Sequence, residues 1–231
     1  MRLTHTLAAT AAAVCFTATS AVAAPTGDVA AKDAVQTGTL STYDPSKQTE
    51  QSVEQNDRLV SMLREARLEA GTQTTGKAPV NGVRAVVTIT YNDDRAPQFD
   101  RLIDRSAQIW NNATYNIQLT EVGYGQRSNI QYHEGYDQRG SYAMTYSFGN
   151  GYVFLDYNQA NQYDPQRIVT HETGHILGLP DNYSGPCSEL MSGGGAGTSC
   201  TNTYPNAREA ATVDRLASYY GYASLGATLE N

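Results

Sequence analysis

Apolar positions recur along the chain in two rhythms. Residues 85–91, Ala85-Val86-Val87-Thr88-Ile89-Thr90-Tyr91, are β-branched and alternating, which predicts a strand. Over residues 97–113, Phe99, Leu102, Ile103, Ala107 and Trp110, with Ile109 beside them, return at helical spacing on one face. Pro97 suits the first turn of that helix. Residues 116–122 and 129–133 read as strands, and residues 141–148 and 152–157 as a hairpin around Gly149-Asn150-Gly151. Asp164-Pro165-Gln166 opens the next helix, with Asp at the cap and Pro at the first helical position, and that helix runs to about Gly178. A last helix covers residues 206–220. The order of strand, helix, several strands, helix, loop and helix predicts an α+β fold. No internal repeat is visible.

The stretch before residue 85 has a different texture. It carries many Thr, Gln, Lys, Asp and Ala and few aromatics. One amphipathic helix stands out, residues 52–70, and residues 71–82 read as a linker rich in Gly, Thr, Pro and Asn. At the start, Arg2, an apolar run over residues 7–16 and Ala21-Val22-Ala23 have the layout of an export signal. The division expected is a signal peptide at 1–23, a pro-segment at 24–84 and a catalytic domain at 85–231. Such a chain is exported, secreted and extracellular.

Charge narrows the partners. The chain has 231 residues and a formal net charge of −7. Its three lysines, Lys32, Lys47 and Lys77, all precede residue 85, so the body is acidic and has no basic patch. That argues against nucleic acid and anionic membranes as partners, and it is compatible with bound calcium. Nothing in the sequence suggests an oligomer, and a monomer is expected. Cys15 lies inside the export signal, leaving Cys187 and Cys200 around a Gly- and Ser-rich loop. In an oxidising compartment this pair suits a disulfide, and a second zinc site is the poorer alternative.

The candidate chemistry lies in residues 171–181, which read H-E-x-x-H-x-x-G-x-x-D. On a helix, His171 and His175 stand one turn apart on one face and can aim two imidazoles at one metal ion. Glu172 stands beside the metal, placed to take a proton from zinc-bound water. Gly178 can adopt a left-handed conformation and end the helix, so that Asp181 folds back as a third ligand. Three protein ligands leave a fourth position open, the mark of a catalytic zinc site.

With these residues placed, the chain resembles the metzincin zinc endopeptidases. The long motif and a later methionine turn, Ser188-Glu189-Leu190-Met191-Ser192, carry the resemblance. Asp181 stands where most of that clan has histidine. Together with the small body and the cysteine pair, it is similar to the snapalysins, small secreted bacterial neutral proteases. The resemblance covers roughly residues 85–222. It implies a metzincin-like α+β fold, a mixed twisted sheet with an active-site helix and a C-terminal helix. It implies zinc on His171, His175 and Asp181, with Glu172 as general base and Met191 as the floor of the site. It implies a Cys187 to Cys200 disulfide, and a structural calcium ion at Asp164 and the Gln166 carbonyl. It further suggests that Tyr183 hydrogen-bonds the anionic intermediate, and that Tyr or Phe is preferred at P1′ of protein or peptide substrates. A plain helix cap is the competing role for Asp164, and packing the competing role for Tyr183. Two rival functions are a narrow-specificity zinc amidase and a non-catalytic secreted binding module stabilised by zinc.

Overall fold

The computed structural model describes residues 38–72 and 86–226. The expected export signal, the first part of the expected pro-segment and most of the expected linker lie outside the described residues. Among the described residues, six strands and five helices are laid out as β1 (Thr39–Thr42), α1 (Glu50–Thr72), β2 (Val87–Arg95), α2 (Asp100–Ala113), β3 (Ile117–Glu121), β4 (Ile130–Gly135), β5 (Tyr142–Ser147), β6 (Asn150–Asp156), α3 (Tyr157–Gln162), α4 (Pro165–Ile176) and α5 (Ala207–Gly226). Short 3₁₀ turns lie at Pro45–Lys47 and Leu190–Ala196.

The strands form one mixed sheet in the order β1-β5-β6-β4-β2-β3. The pairs β2–β3, β2–β4 and β4–β6 are parallel, while β5–β6 and β1–β5 are antiparallel. Helices α2 and α4 pack against one another, α2 also against β3, and α4 against β5 and β6. The core between sheet and helices includes Ile89, Ile103, Trp110, Ile130, Val153, Leu155, Ile168 and Ile176, all buried. The α+β expectation holds, with the mixed sheet, the site-bearing helix and the C-terminal helix in place.

Some boundaries moved for local reasons. Pro97 is not in α2: Ala96 N–H donates to Asp93 O and Phe99 N–H to Ala96 O, forming a turn, and the helix starts at Asp100. The hairpin closes one residue earlier than expected, between Ser147 and Asn150, with Gly149 at φ +71°. Helix α1 continues through Gly71 and Thr72, which the sequence placed in a linker. Strand β1 and helix α3 were not expected at all. The N-terminal segment extends the sheet: β1 lies on the outer edge of β5. Strand β6 is interior, between β5 and β4.

Candidate active site

Helix α4 is buried from Arg167 to Ile176, so a polar group on it without a protein partner calls for a physical reason. Asp164 caps it by accepting from Arg167 N–H at 2.8 Å, and Pro165 fills the first helical position. Thr173, between the motif histidines, has its hydroxyl 2.9 Å from Tyr132 Oη, donates to Val169 O and accepts from Ser106 Oγ. Trp110 Nε1 donates to Thr170 O at 3.0 Å, locking α2 to α4. A Cβ on Gly174 would meet Met191 Sδ at 2.8 Å and Trp110 at 3.1 Å, so glycine here lets the methionine turn close under the helix.

The helix ends at Ile176. Gly178, at φ +86°, turns the chain, with its N–H on His175 O and Leu179 N–H on Gly174 O. This returns Leu179 O to His175 Nδ1 at 2.8 Å and brings Asp181 back over the helix. On the other side, Leu190 O of the methionine turn faces His171 Nδ1 at 3.0 Å. A carbonyl only accepts, so each Nδ1 carries the proton and each Nε2 presents a lone pair.

Those lone pairs converge. The two Nε2 atoms are 2.9 Å apart, and Asp181 Oδ1 lies 3.3 Å from that of His171 and 3.2 Å from that of His175. Three electron-rich atoms facing one another without a proton repel unless a cation joins them. Bonds of about 2.0–2.1 Å to a tetrahedral zinc put ligand atoms roughly 3.4 Å apart, close to this triangle. Asp181 Oδ1 and both carboxylate oxygens of Glu172 are buried and lack hydrogen-bond partners. The donor set therefore fits a zinc ion.

The electrostatics agree with that fit. Burial pulls the His171 imidazole below its ordinary pKa, which favours the neutral ring. Burial works to raise the Asp181 carboxyl, and only protonated His175 and His171 would hold it at about 2; with both rings neutral, a cation is needed to keep it ionised. Burial, then the charge of Asp181, pushes Glu172 well above the carboxylate range. The Ala143 N–H pulls the other way without reaching hydrogen-bond geometry.

Tyr183 stands at the site. Its hydroxyl is 2.9 Å from Asp181 Oδ2 and also donates to Thr42 O. Met191 packs beneath α4. Asp164 and Gln166 have helix-building contacts: Gln166 O accepts from Thr170 Oγ1 at 2.9 Å and its Nε2 donates to Leu102 O at 2.9 Å. Asp164 has no oxygen among the buried side-chain atoms left without a partner, and the Gln166 carbonyl is engaged by Thr170, so the expected calcium site finds no support here. Cys187 and Cys200 form a disulfide across 13 residues. A closure of that size stabilises by roughly 3 kcal/mol.

Two supporting residues escaped the sequence reading. Arg167 is fully buried, with no carboxylate partner for its side chain among the described residues, and donates to Asn202 O at 2.6 Å, Glu189 O at 2.9 Å and Ser192 Oγ at 2.9 Å. It ties the methionine turn to the start of α4. Arg167→Met should leave those carbonyls unpaired and cost roughly 3 kcal/mol or more, measured as a lower urea midpoint. Glu209 works from the opposite side. It forms a capping box with Asn206 and also accepts Met191 N–H at 2.8 Å, so the start of α5 holds the methionine turn. A Glu three residues after Asn206 was the readable signal.

A second acidic group, Asp93, Asp100 and Asp104, lies at the β2–α2 turn with ligand oxygens within 4.8 Å of one another. Burial, then the charge of Asp100, raises the pKa of Asp93 above its ordinary value. A carboxyl raised in the folded state weakens the fold once the pH exceeds its unfolded pKa, about 3.9, and most above its folded value. Asp93→Asn should therefore raise Tm at neutral pH, and the gain should vanish on acidification below the unfolded value. A gain equal at all pH would show that charge is not the cause.

A mixed sheet backed by a helix that bears two histidines, an adjacent glutamate and a turn aspartate defines a metzincin-like peptidase frame. Residues 86–221 match the Streptomyces extracellular neutral proteinase (M7) family, and the chain belongs to that family. The snapalysin resemblance is thus borne out. Among curated relatives, the extracellular small neutral protease of Streptomyces lividans is 55% identical over 146 residues, 63% of each chain. That of Streptomyces caespitosus is 56% identical over 130 residues, 56% of this chain and 96% of its own. That of Streptomyces coelicolor is 51% identical over 140 residues, 61% of this chain and 64% of its own. The match thus spans under two thirds of the Streptomyces lividans and Streptomyces coelicolor proteins. No helix among the described residues is long and apolar enough to cross a membrane.

Proposed function

We propose that the chain is an exported zinc endopeptidase, made with a pro-segment and acting as a monomer on protein and peptide substrates. The triangle of His171 Nε2, His175 Nε2 and Asp181 Oδ1 is the observation that carries this reading. Membership of a proteinase family whose relatives are named extracellular neutral proteases supports it. When bound, zinc supplies a Lewis acid that polarises the scissile carbonyl and acidifies water.

The chain's own residues do the rest. Leu190 O and Leu179 O fix the two imidazoles through their Nδ1 protons, so the ligands are oriented before metal arrives. Glu172 takes the proton of the attacking water on a carboxylate oxygen and delivers it to the leaving nitrogen. A carboxyl whose proton affinity is raised by burial suits that double task. Tyr183 donates its hydroxyl to the carbonyl oxygen as negative charge develops there. Tyr or Phe is preferred just after the cut, as the family resemblance implies.

Asp181 brings a negative charge where a neutral imidazole would bring none. That charge lowers the acidity of the attacking water and favours a neutral to mildly alkaline optimum. A pH profile of casein hydrolysis checks this, and a maximum in the acid range contradicts it. Casein hydrolysis with and without a zinc chelator tests the function itself.

A further inference from the structure

The site just described is sealed. His171, Glu172 and His175 have no exposed surface, and a peptidase site must admit a peptide. The seal is made by this chain's own N-terminal segment. Strand β1 runs antiparallel to β5, pairing Thr39 with Thr145, Ser41 with Ala143 and Thr42 with Tyr142. The pairing continues at Tyr43, whose N–H donates to Ser141 O at 3.2 Å. Adding an extended peptide to a free sheet edge is a common way of binding one.

The next atoms lie over the metal ligands. Thr42 O turns away from β5 and receives the Tyr183 hydroxyl, which also lies 2.9 Å from the ligand Asp181. The Tyr43 ring, 1% exposed, stands edge-on to the ligand His171, with centroids 5.0 Å apart, and edge-on to Tyr163 at 5.2 Å. Tyr43 O accepts from Gly194 N–H at 2.7 Å. Gly193, at φ +49°, and Gly194 make that approach possible: a Cβ on either would lie 2.7 Å or 3.0 Å from Tyr43 O. Beyond the site, Asp44 and Pro45 turn the chain away into a 3₁₀ turn. Helix α1 then returns, and its Asn56 Oδ1 accepts Asp181 N–H at 2.7 Å.

A peptide unit gripped on both sides, with its carbonyl at Tyr183 and the next side chain in a closed pocket beside His171, is held as a substrate is held. We propose that Thr42–Tyr43 is the chain's first scissile bond, and that residues 39–43 block the site until that bond is cut. The proposal rests on the hydrolytic reading of His171, Glu172, His175 and Asp181. In the step, water oxygen bonds to the Thr42 carbonyl carbon and the bond to Tyr43 nitrogen breaks. Thr42 ends as a carboxylate and Tyr43 as a new amino terminus, with Glu172 carrying the proton between water and nitrogen. The pocket around the Tyr43 ring, bordered by Tyr163 and His171, is then the one that receives the residue after the cut in other substrates.

The test uses the full chain, zinc-loaded, as wild type and Glu172→Gln. Intact mass and amino-terminal sequencing follow the fragments while casein hydrolysis is recorded in parallel. A wild-type fragment beginning at Tyr43, formed at a rate independent of protein concentration, absent from Glu172→Gln and preceding the rise in casein hydrolysis, is expected. A synthetic peptide of residues 38–48 should compete with casein on the opened enzyme, raising KM and leaving kcat alone. Its Tyr43→Ala form should bind about tenfold more weakly or worse, since a buried aromatic ring is lost. Casein hydrolysis without any cut at Thr42–Tyr43 overturns the assignment. No hydrolysis of casein or peptide by the loaded protein would instead overturn the peptidase reading beneath it.

Discussion

Glu172→Gln should bind zinc and fold as the wild type does, yet lose between about a hundredfold and ten-thousandfold in kcat, the range of general acid–base catalysis. The substitution keeps the side chain's size in a fully buried position and removes only its capacity to carry a proton. Glutamate there has no hydrogen-bond partner for either oxygen, so no structural contact is forfeited. Burial of an unpaired carboxyl in fact costs stability, and the variant should be at least as stable as the parent. Because the variant cannot open itself, both proteins are prepared without residues 1–84, the segment that carries β1. Casein turnover is then compared at equal zinc content. Full activity in Glu172→Gln would remove glutamate from the mechanism.

The second large effect is expected at the metal. His175→Ala removes one corner of the triangle and leaves His171 and Asp181 to hold the ion alone. Loss of a direct ligand should exceed the about 10- to 100-fold fall in affinity that substitution of an outer partner costs. Stoichiometric zinc should disappear on dialysis and activity with it. The same change frees Leu179 O from its imidazole partner, so the turn carrying Asp181 loses one of its anchors. Zinc retained at one equivalent in His175→Ala would show that the ion sits elsewhere.

The sequence made α4 and its chemistry readable because three local rules coincide there. Asp164-Pro165 marks the start, the histidine spacing marks one face, and Gly178 marks the end. The structure brings His171, Glu172, His175, Asp181 and Tyr183 together at that helix and its following turn. What stayed hidden has no local signature. Strand β1 is four residues with a single leucine, and it is a strand only because β5 offers a free edge far along the chain. Arg167 reads as a surface charge on its helix, but its partners are carbonyls 22 and 35 residues away. Helix α3 is six largely polar residues, set by the Asp156 cap on Gln159 N–H rather than by an apolar face. Only the topology shows that β6 is enclosed and that β5 carries β1.

The most direct test of a zinc endopeptidase is casein hydrolysis by the opened wild-type protein, assayed with its metal, after chelation, and after zinc is restored. One zinc per chain, loss of hydrolysis on chelation and recovery when zinc returns are expected. Hydrolysis that survives complete removal of the metal would contradict the zinc endopeptidase reading. So would a protein that holds one zinc and cuts no peptide bond, which would make this site that of a narrow amidase or a zinc-stabilised binding module.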